Sequence, residues 1–154
     1  MSSFPDSLHA LLYPRAYPHP VGAVDLIETH ISWVLLTGRF AYKLKRPVRY
    51  AFVDLRSSAQ RRLLCHEEVR LNRRFAPQLY LGVRAIHQRK GEARIGGRGR
   101  IIEHAVRMRQ FPHSQQLDAL LQARRINPVE LATFGTELAH LHERLPVAHA
   151  GGMM

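Results

Sequence analysis

The sequence predicts an α+β fold: an antiparallel sheet of about five strands with one long helix, followed by two further helices. Three observations predict it. Ile31 to Thr37 and Phe40 to Leu44 are β-branched and aromatic runs around a turn at Gly38, which is the pattern of a β-hairpin. Ser57-Ser58-Ala59-Gln60 has the Ser-x-x-Gln spacing of a capping box, and no breaker follows until Ala76-Pro77. Leu131, Phe134, Leu138, Leu141 and Leu145 step by three, four, three and four, the period of one helix face.

Taken in order, residues 1–22 read as a lead-in, a short helix around Leu8 to Leu12 and then an extended stretch fixed by Pro14, Pro18 and Pro20. Val24 to Glu28 is a first strand, and Thr29-His30-Ile31-Ser32 a polar turn into the hairpin. On the hairpin's second strand Ala41, Lys43 and Lys45 share one face and Tyr42 and Leu44 the other, because side chains alternate. The helix from Ser57 to about Phe75 sets Leu64, Glu68, Leu71 and Phe75 on one stripe. A carboxylate in such a stripe needs a partner, since an unpaired buried charge is costly. Arg61, Arg62, Arg70, Arg73 and Arg74 read as a solvated face of the same helix. Tyr80 to Gln88 and Arg100 to Met108 are two more strands. Arg89 to Gly99 between them reads as a mobile hairpin tip, its glycines lacking the Walker spacing of a phosphate loop. Residues 23–112 thus form one unit. A short helix marked by Leu117, Leu120 and Leu121 and a second from Pro128 to Arg144 occupy 113–146, and 147–154 is a frayed tail.

Length and composition narrow the function classes. The 154 residues are 45% apolar and 23% charged, a folded composition without an eighteen-residue apolar span. One cysteine forms no internal disulfide, and the start of the chain lacks a secretory pattern, so the cytoplasm is expected. The net charge of +11 would suit a polyanion such as nucleic acid, although twenty of the 23 basic residues are arginines spread along the chain. Two of the three lysines, Lys43 and Lys45, stand on one strand. A compact ammonium beside a small residue is what a nucleotide pocket needs: Ala41 leaves room for a flat base, and the lysine reaches phosphates. His140 and His142, two apart on a helix, point in different directions and make no metal site. Cys65 beside His66 is read as an inert thiol.

Phe40-Ala41-Tyr42-Lys43 resembles the Val-Ala-Ile-Lys strand of protein-kinase-like phosphotransferases. The wider run Thr29 to Val48, with Cys65 to Arg74 and Ala105 to Pro112, resembles a bacterial branch of the aminoglycoside phosphotransferase family, often fused to a second, P-loop kinase domain. The resemblance implies a kinase-like amino-terminal lobe over 23–112 and the first helices of the second lobe over 113–146. It implies ATP, accompanied by magnesium, as ligand. Lys43 would contact the α and β phosphates, Glu68 would orient it (Glu67 being the alternative, one position round the helix), and Lys45 would assist. Thr29 and Ser32 would line the phosphate loop in place of glycines, and Ala41 and Met108, the latter at the start of the hinge, would lie against the base.

The same resemblance places the catalytic aspartate and the magnesium ligands on loops after the last helix, whereas the last aspartate of this sequence is Asp118. The chain by itself is therefore expected to bind nucleotide without transferring phosphate. A second chain carrying the missing lobe would then dock on Leu131, Phe134, Leu138, Leu141 and Leu145. The rival expectations are a basic nucleic-acid-binding module, resting on charge, and the inactive product of an interrupted gene.

Overall fold

The protein is described from a computed structural model over residues 4–146, so the tail expected at 147–154 lies outside the described residues. Two compact units divide the chain, Met1–Phe111 and Pro112–Met154. In chain order the first unit holds β1 (Asp25–Glu28), β2 (Ser32–Leu36), β3 (Phe40–Lys45), β4 (Arg49–Tyr50), β5 (Val53–Asp54), α1 (Ser58–Asn72), β6 (Tyr80–Arg89), β7 (Glu92–Ile95) and β8 (Arg100–Arg109). Six of these strands form an antiparallel sheet in the order β1-β2-β3-β8-β6-β7, and β4 and β5 pair separately as a short ribbon. The fold is α+β, as the sequence predicts.

The β2–β3 turn is built on Gly38, whose φ of 89° few side-chain-bearing residues adopt. Thr37 closes it through its backbone N–H and its hydroxyl, both donating to the Phe40 carbonyl at 3.0 and 2.6 Å. Alternation then decides the two faces of β3. Tyr42 and Leu44 join Trp33 and Leu35 in the main apolar core. Ala41, Lys43 and Lys45 look the other way.

What covers the core face is the amino-terminal segment. In the lead-in 1–22, where the sequence suggests a short helix around Leu8 to Leu12, two 3₁₀ turns, Asp6–Leu12 and Pro14–Ala16, bury Leu8, Leu11 and Ala16 in the core. Phe4 meets Trp33 edge-on at 5.4 Å between ring centroids, and Tyr17 packs on Tyr42 while its hydroxyl donates to the Leu11 carbonyl at 2.7 Å. Pro5 and Pro14 stand at the starts of the two turns and do not remove the segment from the core.

Two further expectations need correction. The segment 89–99 is no mobile tip: it contains the sixth strand, β7, whose Ala93 and Ile95 are buried in the core. Gly99, at φ 133°, passes so close to β6 that a Cβ there would lie 2.4 Å from the Gln88 carbonyl oxygen. The stripe of α1 is also displaced. Ser57 caps the helix as expected, its hydroxyl accepting from the Gln60 N–H at 3.1 Å. Yet Leu71 and Phe75 are 42% and 48% exposed, and the face turned to the sheet carries Arg61, Cys65, Glu68 and Val69. The polar members of that face are paired, which is why hydrophobic periodicity misplaced it. Arg61 is not solvated: it forms an ion pair with Glu103 at 2.6 Å, and its Nη1 donates to the Leu55 and Arg56 carbonyls at 2.9 and 2.8 Å.

In the second unit α2 (Leu117–Gln122) and α3 (Pro128–Glu143) follow the expected pattern. Asn127 and Glu130 form a reciprocal capping box at the start of α3, both bonds at 2.9 Å. No residue of either helix is buried, and Leu131 and Phe134 are 39% and 58% exposed. Among the described residues no helix is long and apolar enough to cross a membrane.

Candidate functional site

Cross-strand register gathers the candidate residues into rows on the sheet face opposite the main core. One row runs Val34, Lys43, Val106, Val83; the next runs Leu36, Ala41, Met108, Tyr80. Helix α1 covers part of this face, with Cys65 and Val69 packed on Val106 and against Tyr80, Val83 and Met108. Val34 and Leu36, at the β2 end of the two rows, belong to neither buried cluster and are half-buried. Lys43 thus emerges between valines, beside a strip of small and apolar side chains.

Glu68 reaches this face from α1. Its Oε1 accepts from Lys43 Nζ at 2.9 Å, and its Oε2 is bonded to Lys45 Nζ. Glu67, the alternative partner, points away and pairs with Arg70 on its own helix at 2.7 Å. Burial works to raise the Glu68 pKa, but the hydrogen bonds from Lys45 and Lys43, with the charges of both ammonium groups, together outweigh it and hold the carboxyl below its ordinary value. Two ammonium groups share one carboxylate, so the trio carries a net positive charge. Its members are unequally accessible. The Lys43 side chain is 28% exposed, whereas those of Lys45 and Glu68 are 9% and 11%. Lys45 and Glu68 hold the site, and Lys43 is the group that a ligand can reach.

Thr29 and Ser32 do not offer the free hydroxyls expected of a phosphate loop. Thr29 Oγ1 accepts from the Ser32 N–H at 3.0 Å and donates to the Ser32 carbonyl at 3.1 Å, and Ser32 is fully buried. Arg46 and Tyr50 tie the same turn down, donating to the Thr29 and His30 carbonyls at 2.6 and 3.2 Å. The Thr29 hydroxyl serves the β1–β2 turn, the alternative that turn chemistry alone suggests, and the Ser32 hydroxyl is closed off by burial without a hydrogen-bond partner. Met108 is held in the sheet between Ala41 and Tyr80, so its side chain, and not its backbone, faces the strip. Cys65 is buried beneath the trio. Burial, partly opposed by Lys45, pushes its thiol up to about 11, and Sγ lies 3.8 Å from the His104 carbonyl.

No family model matches the chain, and no solved structure matches it. Over 131 residues, 82% of this chain, it is 36% identical to proteins described as uncharacterized from Mycobacterium tuberculosis strain H37Rv and Mycobacterium bovis. It spans 24% of the length of those relatives. The similarity is thus to one part of much longer proteins.

What sequence reasoning missed is the double anchoring of Glu68. Lys43 and Lys45 on one face was the available signal, since two like charges side by side call for a shared counter-ion. The Arg61–Glu103 pair had no such signal, because the partners are far apart in sequence and on elements whose contact only the fold provides.

Proposed function

We propose that the first unit is a nucleotide-binding lobe of protein-kinase-like type, similar to the amino-terminal lobe of aminoglycoside phosphotransferases, and that it binds ATP on the β3 face. One observation carries the reading: a half-exposed lysine held by a helix carboxylate, with excess positive charge, beside an apolar strip. Phosphates satisfy the charge and a flat base covers the apolar strip. Lys43 contacts the α and β phosphates, Glu68 fixes its direction, and Lys45 neutralises what remains of Glu68. Leu36, Ala41 and Met108 lie against the base. The antiparallel order of the sheet and the placement of α1 against β3 and β8 are compatible with this assignment.

Magnesium does not fit this trio, because its only carboxylate is already held by two lysines. Phosphoryl transfer, with its metal ligands and catalytic aspartate, is assigned in this reading to the longer protein of which the relatives are examples. The α3 stripe would face that additional polypeptide.

The test is thermal unfolding of the chain with and without millimolar Mg-ATP. A ligand that binds only the folded state raises stability as RT ln(1 + [L]/Kd), about 2.7 kcal/mol at a hundredfold excess over Kd. The expected result is an upward shift that Lys43→Met abolishes. That variant suits the purpose because Glu68 keeps Lys45 as a partner. An unfolding curve indifferent to ATP, or a shift that survives Lys43→Met, overturns the assignment.

A further inference from the structure

The β6–β7 hairpin and the loop after it carry a second cluster, distinct from the Lys43 site. His87 and Arg94 are cross-strand partners, as are Arg89 and Glu92, so the four share one face of the hairpin. With Lys90, Gly96, Gly97 and Arg98 they line a concavity of about 330 Å³. Its charges are unbalanced. Glu92 already serves two guanidinium groups, Arg15 at 3.3 Å and Arg94 at 3.6 Å. Arg89, Lys90 and Arg98 have no carboxylate partner among the described residues, and the buried His87 Nδ1 lacks a hydrogen-bond partner. A cluster of cations that the protein leaves uncompensated in one concave place is the electrostatic footprint of a polyanion.

Shape and composition narrow the ligand. The cluster sits at the β6–β7 edge of the sheet, where β6 is paired on its other side with β8 as far as Gln88, and the tight turn at Lys90-Gly91 lies beyond that pairing, a form that can lie along a phosphate backbone. From His87 to Arg100 there is no Phe, Tyr or Trp. The segment therefore lacks the aromatic platforms on which single strands stack, and equally the apolar side chains that anchor a basic element in a lipid surface. Ala93 and Ile95, its apolar members, are turned into the core. The guanidinium fork matches phosphate oxygens two at a time. We propose that this hairpin binds the phosphodiester backbone of a nucleic-acid duplex, through Arg89, Lys90 and Arg98, independently of base sequence.

The experiment measures binding of the full chain to a fluorescent DNA duplex and to an RNA duplex of the same length, by anisotropy, across salt concentration. Substituting Arg89, Lys90 and Arg98 together by Ser should weaken binding at least tenfold and flatten the log–log salt slope by about 2 to 3, since each lost phosphate contact removes about 0.9. Lys90→Asn alone, suited to the left-handed backbone at φ 52°, should flatten it by about 0.9 and guards against misfolding of the triple variant. A control removes the same charge elsewhere, Arg124, Arg125 and Arg144 to Ser, and should leave most of the affinity. Equal losses in the two triple variants would reduce the effect to net charge and overturn the site. Absence of duplex binding at low salt, or stronger binding to anionic phospholipid vesicles than to either duplex, would overturn it as well.

Discussion

Replacing Glu68 by Gln would leave two ammonium groups side by side with no counter-charge in a mostly buried place. Breaking such a pair from one side costs about 3 kcal/mol or more, so Glu68→Gln should lower stability by that order in urea unfolding. Lys43→Met should cost about 1 kcal/mol or less, because Lys43 is the exposed partner and Lys45 remains on the carboxylate. The pH dependence follows from the same trio. A carboxyl whose folded pKa lies below its ordinary 4.5 gives stability that is complete above that value and is lost as pH falls through the depressed folded one. The gap in stability between wild type and Glu68→Gln should therefore be constant near pH 7 and shrink below about pH 4.5, measured by urea titrations at each pH. Cys65 gives a second check on the same packing. Its fully buried thiol, with its pKa pushed up to about 11, should react with a disulfide reagent at pH 8 far more slowly in the native protein than in urea, by a hundredfold or more.

At the scale of elements, α1 is ion-paired to the sheet at two places, through Glu68 in its second half and Arg61 in its first turn. Arg61→Ala leaves Glu103, whose side chain is 8% exposed, without its cation, and should destabilise the protein by about 3 kcal/mol in thermal unfolding. Gly99→Ala should cost a similar amount, since its Cβ would meet the Gln88 carbonyl in a backbone conformation that side chains avoid. Each tests contacts that local patterns cannot announce. The hairpin 31–44, α1 and α3 were legible because their residues agree with their neighbours, in alternation, in caps and in turn glycine. β7 was not, since two buried residues, Ala93 and Ile95, among glycines and arginines are too few for a period. The α1 face was misread for the opposite reason: two of its inward positions, Arg61 and Glu68, are charged, and only the partners on β3 and β8 make them tolerable. The Lys43–Glu68 contact was legible through resemblance; the second lysine on Glu68, and the use of Thr29 and Ser32 as turn residues, required the register of β1, β2 and β3.

For the molecule as a whole, the amino-terminal segment decides whether the core face of the sheet, opposite the one that α1 covers in part, is closed or open. Removing residues 1–17 should expose Trp33, Leu35 and Tyr42 together and abolish the cooperative transition, seen as red-shifted emission from Trp33, the single tryptophan. Phe4→Ala, which empties the edge contact on Trp33, should cost about 3 kcal/mol by itself. The segment that closes this face packs on β7, and its Arg15 meets Glu92 across 77 residues of sequence. During synthesis these residues thus wait for the hairpin that completes their seat, while the aromatic face of β2 and β3 stands open behind them. Translation at about 5–20 residues per second makes that interval several seconds. It is the period in which a nascent chain of this kind is most in need of a holdase, and a slower codon stretch before β7 would lengthen it.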